Sequence, residues 1–282
     1  MTRFGPAGLA DSFREMGFKK SIEAAEYLSR FGLDAFEYQC GHGVRVKEET
    51  ARRIGQALRE KDIQVSIHAP YYISMSSVEE EKRLASVDYL LQSARALKAM
   101  GGRRIIFHPG SCGKMSRQER LTLATDTMEK AVEALDREGF SDMILCPEVM
   151  GKINQLGSLD EVLSLCRVDS RIIPCVDFGH LNARTYGTLK VYEDFMAVAD
   201  RINSVLGDDR RTRFHRHFSK IEWSKGGEKR HLTFEDGRFG PDFEPLMQLI
   251  HDRSLDLVVI CESAGTQTED ARTMKQYLYS LR

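Results

Sequence analysis

Six apolar runs of this chain end in a histidine or a carboxylate. His68 falls at the end of VSIHA, His108 closes RIIFH and Glu148 comes near the end of MILCPEV. Asp177 closes RIIPCVD, His217 comes near the end of TRFHRHF, and Glu262 closes DLVVICE. His180 follows just beyond Asp177, and His231 lies in the segment after His217. Singly, each has an ordinary reading as a hydrogen-bonded rim residue, and Glu148 as a partner for loop amides. Together they are selective: the chain has only eight histidines, and only His42 and His251 lie clearly away from these positions. Imidazoles and carboxylates without a thiol suit zinc, manganese or iron. The donors exceed what one ion needs, which predicts at least two metals. Asp177 and His180 pose a local problem, because side chains three apart on a regular strand face opposite ways. Gly179 between them is expected to turn the chain sharply and swing His180 over the same mouth.

The elements that must gather these donors alternate regularly. Eight strand-like runs are read at 3–5, 35–39, 65–69, 104–108, 143–149, 171–177, 212–218 and 256–262. Several lack polar alternation, as parallel strands buried on both faces do. Amphipathic, charge-rich stretches lie between or after them at 21–32, 47–62, 78–102, 117–139, 158–166, 189–207, 243–254 and 268–281. The pattern predicts an α/β fold, a (β/α)8 TIM barrel forming a single domain over 1–282. In such a barrel the C-terminal strand ends crowd around one mouth, so residues from 68 to 262 can meet there.

Bulk composition bounds the rest. The chain has 282 residues, 41% of them hydrophobic, and a formal net charge of −1. A protein holding nucleic acid by its own charge alone is usually basic, so such a role needs local charge, and bound metal ions are one source. The six cysteines form no CxxC pair, which fits a reducing compartment. The N-terminus lacks the apolar core of a signal peptide, and no apolar stretch approaches membrane-spanning length. A cytoplasmic protein, monomeric and without a membrane partner, is expected.

FHPGS (107–111), CVDFGH (175–180), ICESAG (260–265) and HAPYYI (68–73) resemble motifs of the endonuclease IV family, AP endonuclease family 2, within the xylose-isomerase-like TIM-barrel superfamily. The resemblance runs through most of the chain and keeps motif order and spacing. It implies a zinc-dependent phosphodiester hydrolase that cleaves DNA 5′ to abasic sites in base excision repair. It also implies up to three zinc ions, with manganese or iron as other possibilities. His68 and His108 would hold the first, and Glu148 would bridge the first and second. Asp177, His217 and Glu262 would complete the second, and His180 and His231 would hold the third. Two features depart from the family. Its third zinc also takes an aspartate two residues before the histidine matching His231, where this chain has Lys229 with Glu228 beside it. Either Glu228 substitutes after a slip of one residue, or the third site is weak. The loop after the second strand, YQCGHGVR (38–45), is Gly-rich and lacks the family's polar, arginine-bearing pattern.

Sugar isomerases and epimerases of the superfamily share the quartet matching Glu148, Asp177, His217 and Glu262, and they form the alternative. His68, His108, His180 and His231 favour the nuclease-like cluster. A binding module without catalysis is a third class. For hydrolysis, Glu148 and Glu262 are the catalytic candidates, Glu262 as ligand and proton acceptor. Three zinc ions against Glu148, Asp177, Glu262 and Glu228 would leave the mouth positive by about two charges. The segments 208–220 and 225–230 are expected to bring Arg216, Lys220 and Lys225 near it. His215 competes with His217, and is assigned the lower position in the barrel. Tyr71 and Tyr72 are candidates to stack on an unpaired nucleotide or to pack as rim aromatics. The loop GKINQLG (151–157) is expected to cover the site, with Asn154 and Gln155 touching substrate.

Overall fold

The apolar runs become strands because both of their faces are covered: Ile105, Ile106 and Phe107, consecutive in one strand, all have 0% exposure. The computed structural model describes residues 2–253, 255 and 257–281. Met1 and Arg282, Ser254 at the end of the helical stretch 243–254, and Asp256 at the start of the run 256–262 lie outside the described residues. Ten strands are formed among the described residues, β1 (Arg3–Pro6), β2 (Ala35–Gln39), β3 (Gln64–His68), β4 (Arg104–Phe107) and β5 (Ile144–Pro147), then β6 (Cys175–Asp177), β7 (His215–Phe218), β8 (Ile221–Ser224), β9 (Gly227–His231) and β10 (Val258–Cys261). Eight are parallel, in the orders β1-β10-β7-β6 and β2-β3-β4-β5. Parallel bridges Ala7–Glu37 and Glu148–Cys175 join the two sheets into a closed barrel. The expected TIM barrel is therefore formed. The antiparallel pair β8–β9 is an excursion between β7 and β10.

Helices cover the outside of the barrel. In Glu48–Glu60 the buried residues are Ala51, Ile54, Gly55 and Leu58, the spacing of a single helical stripe. The helices Arg117–Arg137 and Leu159–Leu165 start at capping boxes, Ser116 with Glu119 and Ser158 with Glu161, which satisfy otherwise orphaned N–H groups. No helix among the described residues is long and apolar enough to cross a membrane.

Three sequence boundaries are corrected. The run 171–177 contributes only Cys175–Asp177 as strand; Arg171 instead forms ion pairs with Asp136 and Asp169. Thr212 and Arg213, read as the start of the seventh strand, belong to the helix Asp208–Arg213. The sharp turn expected at Gly179 is instead part of a helix, Phe178–Arg184.

Closure of the barrel depends on one missing side chain. A Cβ on Gly5 would lie 1.7 Å from the carbonyl oxygen of Ala35, so β1 reaches β2 only because residue 5 is glycine. Gly5→Ala is expected to lower stability by about 3 kcal/mol or more, read as a fall in the urea midpoint.

Candidate metal centre

Strand register sets the height at which each donor emerges. Asp177 is the partner of His217 across β6–β7, and Ile260 is the partner of His217 across β7–β10. Phe107 pairs with Pro147, which brings His108 and Glu148 out side by side. Glu148 is the hub, with 0% exposure. Its Oε2 lies 3.2 Å from His68 Nε2 and 3.2 Å from His108 Nε2. Its Oε1 lies 3.2 Å from His180 Nδ1 and 3.3 Å from His217 Nδ1. Burial pushes the Glu148 carboxyl up, but His108, His180 and His217 together outweigh it and hold the group well below the usual carboxylate range.

The structure brings the sequence candidates into three groups whose donor atoms lie within 4.8 Å of one another: His68, His108 and Glu148; Glu148, Asp177, His217 and Glu262; and His180, Glu228 and His231. Cys175 also faces Glu148 and His217 from beneath. Burial raises its thiol well above the ordinary value.

One observation tests whether a cation fits. Asp177 is completely buried, and its Oδ2 has no hydrogen-bond partner, with His180 Nδ1 its nearest cationic neighbour at 3.5 Å. Its Oδ1 accepts the His180 backbone N–H at 2.7 Å, capping the helix Phe178–Arg184. Burial, reinforced by Glu262 and Glu148 and opposed by His180, raises the Asp177 carboxyl to about 7. A buried orphan oxygen aimed at three other donors is costly without a ligand, and a cation removes that cost.

The helix also explains Gly179, differently from the sequence reading. Gly179 makes no left-handed turn. A Cβ there would lie 2.5 Å from the Ser219 carbonyl oxygen, so glycine lets the helix press against the chain leaving β7. His180 reaches the site as the third helical residue, and its Nε2 lies 3.4 Å from Glu228 Oε2.

The hairpin resolves the Lys229 departure. Ile221 pairs with His231 and Glu222 with Arg230, but Trp223 pairs with Glu228, a register shift that leaves Lys229 as the extra residue. Without that bulge Lys229 would share the face of His231. With it, Lys229 and Arg230 both turn outward onto Glu222, and Glu228 takes the inward face. Gly151 completes the fit, since a Cβ there would meet Glu228 Cβ at 2.6 Å.

Beneath the donors lies a layer that the sequence did not reveal. Glu37 is fully buried, with Oε1 3.1 Å from His217 Nε2 and Oε2 3.0 Å from His215 Nε2. Ser66 Oγ donates to Oε2 at 2.9 Å. By engaging Nε2, Glu37 leaves His217 Nδ1 directed at Glu148 and Glu262, the outer-shell arrangement typical of metal-binding histidines. His215 sits in this lower layer, as its assignment requires.

The substrate candidates divide. Tyr71 is 55% exposed and stacks on His108, with ring centroids 5.3 Å apart; Tyr72 is equally open but leans towards Tyr89. Neither is a buried rim aromatic. Gln155 lines the cleft over the cluster, along with Gln39, His42, Lys152 and Gln267. Its loop is pinned by Arg117 and Arg184, which donate to the backbone carbonyls of residues 150, 152, 153 and 155. Asn154 is exposed and does not line the cleft. Arg216, expected near the mouth, points the other way: strand alternation sends it outward, where its guanidinium covers the Phe214 ring at 3.4 Å. Lys220 is also turned away, with Nζ 2.7 Å from the Asp236 carbonyl oxygen and 3.1 Å from Asp242. Lys225 is exposed in the hairpin turn.

Two substitutions probe this arrangement. Glu37→Gln is expected to weaken zinc affinity about ten- to a hundred-fold, measured by competition with a chromophoric chelator. Asp177→Asn keeps an acceptor for the His180 N–H but removes the orphan charge. The metal-free protein should then melt no lower than the wild type, while bound metal falls by one equivalent.

A family model described as xylose isomerase-like TIM barrel matches residues 25–281. An uncharacterized protein of Methanocaldococcus jannaschii is 32% identical over 277 residues, covering 98% of this chain and 97% of that protein. A probable endonuclease 4 of Mycoplasmopsis agalactiae is 30% identical over 208 residues, covering 70% of this chain and 67% of that protein. Among solved structures, a D-tagatose 3-epimerase-like protein superposes with a TM-score of 0.74 at 15% identity, covering 99% of this chain and 97% of its own. With a closed parallel barrel, donors at its strand ends and a model match over nearly its whole length, the chain belongs to the xylose isomerase-like TIM-barrel family.

Proposed function

We propose that the protein is a zinc-dependent phosphodiester hydrolase that cleaves DNA on the 5′ side of abasic sites, leaving a 3′ hydroxyl, in base excision repair. It would act as a cytoplasmic monomer holding two to three zinc ions. The observation that carries this reading is the surplus of donors beyond the quartet Glu148, Asp177, His217 and Glu262. His68 and His108 meet one oxygen of Glu148, and His180 with Glu228 and His231 makes a further group. A proton-transferring isomerase has no need of that many.

Zinc at these positions would supply activated water near neutral pH and charge compensation on phosphoryl oxygens. The protein supplies the rest. Glu148 presents one oxygen to each side of the cluster, so the two halves are held at a fixed spacing. Glu262 lies against the cleft, and though burial raises its carboxyl, His217 outweighs this and holds it at about 2. It stays ionised and so able to ligate a metal, while so low a value makes it a weak proton acceptor. Tyr71 walls the cleft above His108 and offers its exposed ring to a base or sugar left unpaired at the lesion. Lys152, on the opposite loop, adds a cation where the strand would pass.

A ketose epimerase is the second reading, favoured by the convergence of the quartet. Nicking of a duplex carrying a tetrahydrofuran abasic analogue separates the two. Zinc-loaded protein should cut, and Glu148→Gln should lose more than about a hundred-fold, beyond the range of outer-shell changes. His180→Ala should remove one equivalent of zinc and the nicking together. Ketose epimerisation without nicking at any metal loading would sink the hydrolase reading.

A further inference from the structure

Beside the metal cluster, a second cavity of about 360 Å³ opens between the turn after helix 178–184, strand β8 and the loop 237–242. Tyr186, Trp223 and Phe239 line it. Trp223 meets Tyr186 at 5.8 Å and Phe239 at 5.9 Å between ring centroids, both edge-on, so the ring faces are not stacked against one another. Lys190, Lys220 and Arg238 also line it, against one carboxylate, Asp242. Lys220 takes up that carboxylate at 3.1 Å. Among the described residues, Lys190 and Arg238 have no ion-pair partner, nor does Lys225 at the hairpin turn; the Arg238 guanidinium lies over the Phe239 ring, 5.1 Å from its centroid.

Tyr186 is the telling residue. Its φ is +56°, in the left-handed region that a bulky side chain occupies only at a conformational cost. It ends helix 178–184 where glycine is usual, with the next N–H, of Gly187, donating to the Asn182 carbonyl at 2.8 Å. Burial does not offset the strain, because the ring is 49% exposed. Its hydroxyl donates to the Lys225 carbonyl at 3.1 Å, which holds the ring beside Trp223.

We propose that this cavity binds an unpaired nucleotide of the DNA strand as it leaves the metal cluster, the base among Tyr186, Trp223 and Phe239 and the flanking phosphates at Lys190 and Arg238. The two sites are continuous along the chain. Asn182 of the cavity lies two residues beyond His180, and Lys220 follows Ser219, whose hydroxyl pairs with His231 Nδ1 at 2.8 Å. An exposed aromatic, Tyr186, beside the half-buried rings of Trp223 and Phe239 and the cations Lys190 and Arg238 makes the chemistry of single-strand binding. The inference rests on DNA being the substrate, but it is read from binding rather than cutting.

Trp223 is the only tryptophan, so its emission reports the cavity alone. Zinc-loaded protein titrated with a short oligothymidylate lacking any abasic site should show quenched emission, with affinity falling as salt rises. Tyr186→Gly should keep or raise the melting temperature, because glycine tolerates the backbone angle, yet weaken oligonucleotide binding about ten-fold. Arg238→Ala should weaken it as well. Unchanged emission with the oligonucleotide bound, as judged by anisotropy of a labelled strand, overturns the proposal. So does a Tyr186→Gly protein that melts lower and binds as before, since the ring would then be merely structural. A free mononucleotide binding as tightly as the oligomer also overturns it. Protein that quenches on the oligonucleotide but never nicks abasic DNA keeps this inference and rejects the hydrolase.

Discussion

A carboxylate with no access to water, Glu148, is the constraint around which the barrel mouth is organised. An ionised carboxylate in such surroundings costs several kcal/mol unless its lone pairs are met. Four imidazoles meet them at 3.2 to 3.3 Å. The four come from β3, the end of β4, helix 178–184 and β7, elements far apart in sequence. Only a closed barrel of fixed stagger holds all four around one side chain. The fold and the site are therefore one problem: a slip of one residue in any of these strands would turn its donor to the opposite face.

Donors crowded this closely need backbone to approach backbone, and the chain allows it by omission. Gly5 admits β1 to β2, Gly179 admits helix 178–184 to the segment after β7, and Gly151 admits Glu228 to His180. Beneath them Glu37, Ser66 and His215 form a second polar layer. That layer fixes which nitrogen of His217 faces upward, so the geometry of the mouth is set from below as well as from the loops above.

The strand-end donors were legible in the sequence because apolar runs are easy to see and their last residues are polar. What the sequence hid depends on direction or on pairing. Glu37 sits inside AFEYQ (35–39) rather than at its end; a charge within a run buried on both faces was the available signal. Arg216 lies between two inward histidines, so alternation along the strand sends it outward. The helix at 178–184 was concealed because Asp177 both ends a strand and caps a helix. The bulge at Lys229 is invisible without the partner strand, because only the pairing of Glu222 and Trp223 shows which residue of β9 is extra.

The barrel itself does not choose between a nuclease and an epimerase, since an epimerase-like structure superposes on it closely. The quartet of Glu148, Asp177, His217 and Glu262 does not choose either. Selection falls to what is added around that quartet, and the largest addition is the β8–β9 hairpin. Its inward face lowers Glu228 and His231 over His180, and Trp223, paired with Glu228 on that same face, lines the neighbouring aromatic, cationic cavity. The bulge at Lys229 turns Glu228 inward beside His180, so one irregularity of the hairpin completes a donor group that the quartet alone lacks.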